Sequence, residues 1–434
     1  MYDVAIIGAG IAGAAAAYRL RGLKTLTVEA ESFVGGRTRS EPFGDGLWAN
    51  YGAGYFSADK HIIIGLGDEV GVPFIRFDDS ALAGDFLPDG FSREDIAEIR
   101  AVKRRILAEQ QNRRDPADAS LDAVTFAEWL GPVRPNVRAY WEFWCSTMSG
   151  PMDEVSLYGV LLMSGANRTE AFADAAIDYD KRGNLVVEGG NGLIAQRLVA
   201  ASETDLITAA RVTRIVANED EYTGYTIVAD GPDGPSAWRA RAVICALPAP
   251  VAAAVVSGLP DWKLRALETI RYGRIIGMPV VVGPRDGDYP RFVPTADYRV
   301  DAIYCETEFL LRSPTDLDAI GAYFVCQVYD RAAAAIWSDD DASIRAGIYA
   351  AFAKKFPELA DRVEAIGVHR WQWGLPKYTP GRMAVTPDLV KPVGGISFCG
   401  DYSDVTHTDG AARSGQRAAA EARSYLQLLR SICD

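Results

Sequence analysis

Gly8-Ala9-Gly10-Ile11-Ala12-Gly13 is the first stretch whose residue types and spacing suit chemistry. A GxGxxG loop binds the pyrophosphate of a dinucleotide when it joins a buried strand to a helix. Asp3-Val4-Ala5-Ile6-Ile7 reads as that strand, and residues 14–21 read as an alanine-rich helix. Gly8 then makes the turn, Gly10 lets backbone reach the phosphates, and Gly13 lets the helix pack on the sheet. The N–H groups of Ile11, Ala12 and Gly13 at the helix start face the phosphates with a positive dipole end. Residues 25–29 form a second strand that ends on Glu29, placed to accept hydrogen bonds from the adenosine ribose hydroxyls. This element fits NAD and FAD equally well. The competing reading, a glycine loop with no ligand, has to ignore the agreement of strand, loop, helix and acid.

Other chemistry is sparse. Only three histidines occur, His61, His369 and His407, and the six cysteines lie far apart with no CxxC pair. That pattern suits neither a metal cluster nor a disulfide framework, and points to a reduced, cytoplasmic protein. The chain carries 45 basic and 58 acidic residues, a formal net charge of -13. Sequence-independent binding to nucleic acid or to an anionic membrane needs a basic face and is not expected. Met1-Tyr2-Asp3-Val4 reads as lacking a signal segment. Residues 242–259 are nearly all apolar, but Pro248 and Pro250 favour a strand and a Pro-led helix over a membrane span.

The elements that must position these residues follow from periodicity. At 434 residues the chain is too long for one ordinary core, and two interleaved domains are expected. Helical patterns cover 95–112 and 120–165, with an aromatic patch at Tyr140, Trp141, Phe143 and Trp144 that reads as helix core. Strands are expected near 210–230, 241–246, 275–282, 319–328 and 395–399, with turns at 232–235 and 285–290. A last helix spans about 410–429, with Asp409 as its N-cap.

Glu29-Ala30 through Val34-Gly35-Gly36-Arg37 resembles the E-A-x-x-x-V-G-G-R signature of the flavin-containing amine oxidase family. The first x is usually Arg there and is Glu31 here. The resemblance continues along the chain. Asn50-Tyr51-Gly52-Ala53-Gly54 looks like the family's D-x-G turn beside the flavin, and Glu188-Gly189-Gly190-Asn191-Gly192 like its return from the substrate domain. Val212 begins a V-x-x-I pattern that contacts adenine, and residues 242–248, including Ala246, match the A-x-x-V-I-x-A-x-P strand. Phe398-Cys399-Gly400-Asp401 is similar to the G-(D/E) ribityl contact. Thr408 with Asp409-Gly410-Ala411, then Ser414-Gly415, looks like the E-G-A…S-G helix whose N-terminus faces the isoalloxazine. The resemblance implies FAD, held in part by Gly36, Arg37 on the pyrophosphate, Gly52, Ala53, Gly400, Asp401, Thr408, Asp409 and Ala411.

Further positions depart from the family. Alignment of Tyr272-Gly273-Arg274-Ile275-Ile276-Gly277-Met278 puts Gly277 where amine oxidases carry a lysine near flavin N5, and Lys263 reads as a surface helix residue. The two facing aromatic rings fall on Met383 and His407, and the covalent flavin cysteine on Arg382, so FAD is expected to be non-covalent. Arg370-Trp371 and Leu375-Pro376-Lys377-Tyr378 resemble the R-W…P-x-Y segment of protoporphyrinogen oxidases. His407 reads either as a group that moves a proton or orients substrate, or as a loop histidine bonded to backbone. Tyr378 and Trp373 read as pocket walls, with core as the alternative.

The resemblance therefore implies an α/β fold: a Rossmann-like FAD-binding domain of the glutathione reductase type 2, from residues 1–78, 180–260 and 380–434. An α+β substrate domain, 79–179 and 261–379, is interleaved with it. The expected activity is oxidation of a C–N bond in an amine or amino acid by hydride transfer to the flavin, with molecular oxygen as a candidate acceptor. The alternatives are C–C desaturation of a biosynthetic intermediate and non-catalytic FAD binding. The partner is a small-molecule substrate; a homodimer is a candidate assembly.

Overall fold

The strand Tyr2–Ile7 turns Val4 and Ile6 to one face and Ala5 and Ile7 to the other, and all four are buried. Both faces are covered, as a parallel sheet requires. The computed structural model describes all residues except 44–46, 57–60, 77–90, 113–118, 164–184, 219–223, 284–291, 295–301, 306–321 and 434. Parallel neighbours run in the order Asp205–Ile207, Thr25–Val28, Tyr2–Ile7, Gly234–Cys245 and Ile396–Phe398. The first half of Gly234–Cys245 extends past this set and pairs antiparallel with Tyr225–Gly231, which pairs with Arg211–Ala217. The strand after residue 240 and the helix Ala249–Val255, capped at Pro248, account for the apolar stretch. Among the described residues no helix is long and apolar enough to cross a membrane.

The helices Ile11–Arg19 and Thr408–Cys433 come from opposite chain ends and pack on each other through small residues. A Cβ on Gly415 would lie 2.1 Å from the carbonyl oxygen of Ala12, so only glycine permits this approach. Arg423 closes the far end by donating to the carbonyls of Arg19 and Arg21.

A second, antiparallel sheet centres on Tyr272–Val282, with Ala322–Tyr329 on one side and Val363–Ile366 and His369–Pro376 on the other. Ile276, Met278, Val280 and Val282 face the helix Asp341–Lys355 and bury Ile344, Ile348 and Phe352. The opposite face carries Ile275, Tyr329, Trp371 and Leu375 as a separate small cluster. A helical layer, including Arg93–Asn112, Pro135–Met148 and Leu157–Met163, closes around fully buried Trp141, with Tyr140 and Trp144 in the same core.

Several expectations change here. The helix Asp261–Thr269 buries Ala266 and Leu267 in the core cluster that covers one face of the parallel sheet. The boundaries at 78/79 and 179/180 and the turn at 285–290 lie outside the described residues. Gly234 already belongs to a strand, so the turn at 232–235 is shorter. Lys263 is not a surface residue: it is fully buried and its Nζ donates to the carbonyls of Asp388, Leu389 and Lys391 at 2.7, 2.9 and 2.7 Å. These carbonyls close the helix Arg382–Val390, whose last acceptors have no intrahelical donor. Burial and the neighbouring Arg417 pull the Lys263 pKa down to about 7, against the opposing charges of Cys245, Asp388 and Glu421.

Lys263→Met keeps the methylene stem and strips all three donors from a buried helix end. A loss of about 2 kcal/mol of stability is expected. Urea denaturation at neutral pH checks it, and an unmoved midpoint would show that the helix end needs no buried donor.

Candidate active site

The glycine loop is built from contacts that exclude side chains. Gly8 has φ +99°, and a Cβ on Gly13 would lie 1.9 Å from the Gly8 carbonyl oxygen. Gly10 faces the second glycine turn: Gly35 N donates to Ala9 O at 3.0 Å, and a Cβ on Gly36 would lie 3.2 Å from the Gly10 Cα. Gly10 is the N-cap of the first helix and supplies no side-chain cap. The N–H groups of Ile11, Ala12 and Gly13 therefore start a helix end suited to an anion. Glu29 is buried; its carboxylate accepts from Ala9 N at 2.7 Å and from Glu31 N at 2.9 Å. Burial raises its pKa, while these two amides act the other way. Ala209 and Ala210 donate to the carbonyls of Glu31 and Glu29, which brings buried Val212, just beyond, to the same end with Ala30. Ala246 N donates to Ile7 O, beside Gly8.

The second glycine turn leads into the clamp at the centre of the site. Arg37 Nη1 and Nη2 bind the two oxygens of Asp401 at 2.8 and 2.7 Å, and Nη1 also donates to Gly374 O at 2.6 Å. Asp401 is only 2% exposed. The planar fork of Arg37 thus holds a carboxylate in the geometry a guanidinium matches best. Arg37 O in turn accepts from Ala53 N, and a Cβ on Gly52 would lie 2.1 Å from that same oxygen. The turn 50–54 is thus held directly on Arg37. Asn191 joins it to the return strand by donating to Ala53 O at 2.9 Å.

At the C-terminal end Gly400, φ +146°, donates its N–H to Ser414 Oγ at 2.9 Å. The last helix begins at Thr408, so His407 precedes it and Asp409 is not its N-cap. Asp409 Oδ1 accepts from the N–H groups of Ile62 and Ile63 at 2.9 and 3.0 Å and so caps the helix His61–Glu69. His407 has φ +97°, a region costly for a residue with a side chain. Ala411 is buried one turn beyond and donates to His407 O.

The remaining expectations separate. Trp373 is partly exposed and packs edge-on against Tyr272, centroids 5.7 Å apart. Burial and the nearby Asp401 raise the Tyr272 pKa, which places that phenol beside the clamp. Tyr378 is not a pocket wall: it is 3% exposed, belongs to the core of the helical layer, and gives its hydroxyl to Asp404 O. Arg382 stacks on the Tyr378 ring at 3.7 Å and donates to Lys377 O and Tyr402 O. Met383 N binds Asp122 Oδ2 at 2.7 Å, which ties Met383 to the helical layer rather than to a ring position. Gly277 has no room for any side chain: a Cβ would lie 2.0 Å from Tyr51 O.

The comparisons with known proteins agree with this geometry. The family of flavin containing amine oxidoreductases matches residues 11–423. The chain belongs to that family. It is a flavin-dependent oxidoreductase. A double mutant of putrescine oxidase is 25% identical, covering 98% of this chain and 99% of its own at a TM-score of 0.80. Cyclohexylamine oxidase from Brevibacterium oxydans shares the fold at 20% identity, with 98% and 99% covered and a TM-score of 0.76. A protein from Exiguobacterium described as a protoporphyrinogen oxidase shares it at 17%, with 96% and 98% covered and a TM-score of 0.67. No curated protein matches the sequence.

Sequence reasoning missed the group around His369. Arg39 Nη1 lies 2.6 Å from His369 Nδ1, and Trp371 packs 3.9 Å from the imidazole, centroid to centroid. The guanidinium can only donate, so Nδ1 accepts and the ring is neutral. Burial and then the Arg39 charge lower the His369 pKa to about 4. The strand register, which only the structure shows, pairs His369 directly with Gly277.

Two outcomes follow. Arg37→Lys loses the fork and is expected to destabilise the protein by about 2 kcal/mol and to weaken flavin retention; a variant equal to wild type in both would sink the clamp. His369 has a folded pKa of about 4 against 6.5 in the unfolded chain, so between those values the unfolded state holds more protons. Stability falls as pH drops through that window. In His369→Gln the fall is expected to be shallower, read as melting temperature against pH; parallel curves would remove His369 as the cause.

Proposed function

We propose that the chain binds FAD non-covalently and oxidises a C–N bond in an amine or amino acid. The observation that carries the reading is the close packing of two helices from opposite chain ends, the start of the first against the second turn of the last. The Ile11–Arg19 and Thr408–Cys433 helices touch through Gly415 and Ala12, and Arg37 joins Asp401 between them. A nicotinamide site needs only the first helix; a flavin dinucleotide uses both. The loop supports the fit, because Gly8, Gly10, Gly13 and Gly36 leave a backbone surface without side chains and Glu29 stands at the ribose end. Non-covalent attachment is supported by Cys145, Cys245, Cys326 and Cys399, which are all buried. Burial raises each of their pKa values, so none offers a thiolate.

Bound FAD supplies the two-electron acceptor for hydride from the carbon beside nitrogen. The protein supplies position. Ile275, Tyr329 and Leu375 form an apolar wall that limits water, and Trp373 with Tyr272 lines the side next to Asp401. His407, at the start of the second helix, takes the proton that the amine must lose. Its unfavourable φ supports a functional role over a merely structural one. Oxygen is the acceptor in the amine reading, and the small-molecule substrate is the only partner required.

One observation favours a second reading, C–C desaturation. Gly277 occupies the position of the family's lysine and cannot carry a side chain. Fast reoxidation by oxygen then loses its usual support, and a product released without hydrolysis becomes the alternative.

Purified protein is expected to be yellow and to release FAD on denaturation. Colourless protein that takes up no added FAD would falsify the flavin reading. Gly10→Val is expected to abolish FAD binding, and binding that persists would sink the assignment of the phosphate loop. A panel of amines is expected to give hydrogen peroxide and ammonia together. A product two hydrogens lighter without ammonia would decide for desaturation. His407→Gly removes the strained side chain, and the fold should gain about 1 kcal/mol while turnover falls. Unchanged turnover leaves His407 a structural residue.

A further inference from the structure

The turn 50–54 has its N–H groups and its carbonyls satisfied from different sheets. Tyr51 N and Ala53 N donate to Arg39 O and Arg37 O, within the dinucleotide part of the fold. The carbonyls of Tyr51 and Gly52 point the other way. Trp371 Nε1 donates to Tyr51 O at 2.9 Å and Gln327 Nε2 donates to Gly52 O at 2.7 Å. A buried turn has no ladder partners for such carbonyls, so long side-chain donors must reach them.

The register explains why these residues do so. Ile275 pairs with Tyr329 on one side and Trp371 on the other, and Gly277 pairs with Gln327 and His369. Gly277 lets the sheet press against Tyr51 O, and its two flanking strands supply the donors. Gln327 is buried at 6%, and its Oε1 accepts the hydroxyl of Tyr329, also 6% exposed. The Gln amide accepts from the phenol with its oxygen and donates to the carbonyl with its nitrogen, so one neutral side chain bridges the two. Tyr329 belongs to the apolar wall with Ile275 and Leu375. A chain of hydrogen bonds thus runs from the wall of the cleft, Tyr329 to Gln327 to Gly52, into the turn.

We propose that Gln327 is a positioning residue that couples the substrate-side wall to the turn beside the flavin. The coupling to flavin rests on the reading given under Proposed function; the hold on the turn does not. Occupation of the wall that moves the Tyr329 hydroxyl alters the hold on Gly52 and so the placement of the turn against the cofactor.

Hydrogen exchange on the full chain without added cofactor tests the hold. In Gln327→Met, the amides of Tyr51 and Ala53 are expected to exchange on the order of tenfold faster, with the helix Ile11–Arg19 unchanged. Exchange at wild-type rates in the turn would overturn the proposal. Should Gln327→Met loosen the whole fold, Tyr329→Phe decides. It leaves the Gln327 donor in place, and a smaller rise confined to the turn supports the coupling; no rise refutes it. A fluorescence titration with FAD then reads the cofactor side. Gln327→Met is expected to weaken FAD binding by about tenfold and to shift the visible flavin band, neither of which follows from a role in folding alone. Equal affinity and an unmoved band would overturn the link to the cofactor. Wild-type protein that takes up no FAD defeats the flavin reading instead, and the exchange rates still decide the role of Gln327.

Discussion

The pairing of Arg37 with Asp401 ties together parts of the chain that are 364 residues apart. Asp401 is nearly inaccessible, and a lone carboxylate there would be costly to bury. The guanidinium fork offsets that cost with two parallel hydrogen bonds and spends a further contact on Gly374 O, at the edge of the second sheet. Three segments are therefore fixed by one side chain. The carbonyl of Arg37 then receives Ala53 N, so the turn 50–54 is referenced to the same residue.

Close backbone approach sets the rest of the geometry. Gly13 on Gly8, Gly52 on Arg37, Gly277 on Tyr51 and Gly415 on Ala12 each bring backbone so near that a Cβ would sit at about 2 Å from a carbonyl oxygen. Such contacts lock elements without side-chain entropy. They also decide chemistry. At Gly277 the contact leaves no room for a side chain, and the paired positions on either side carry Gln327 and His369.

Polar groups far from the cleft follow one rule, that orphan backbone groups are met by buried side chains. Lys263 closes the C-terminal end of one helix, and Asp409 closes the N-terminal end of another. Tyr378 belongs to the same class, since its hydroxyl holds Asp404 O and its ring carries Arg382. It keeps the loop before His407 in place.

The amino-acid order by itself determined the parallel sheet, the glycine loop, Glu29, the second glycine turn and the last helix. The opening strands, loops and last helix each depend on neighbours within about thirty residues, where periodicity and turn chemistry are local properties; the parallel sheet as a whole does not, since its strands lie far apart along the chain. The family resemblance added Gly277 and the pairing of distant segments. What it could not supply were partners chosen by packing. Lys263 reads as a surface cation until the helix Arg382–Val390 is laid over it, and Asp409 reads as the cap of its own helix until His61–Glu69 arrives. Arg37 could as well have served phosphate; only the fold puts Asp401 within reach. Tyr378 and Trp373 stand five residues apart on one strand and its extension, yet one is core and the other is partly exposed. Burial is a sum over elements far apart in sequence, and no local pattern contains it.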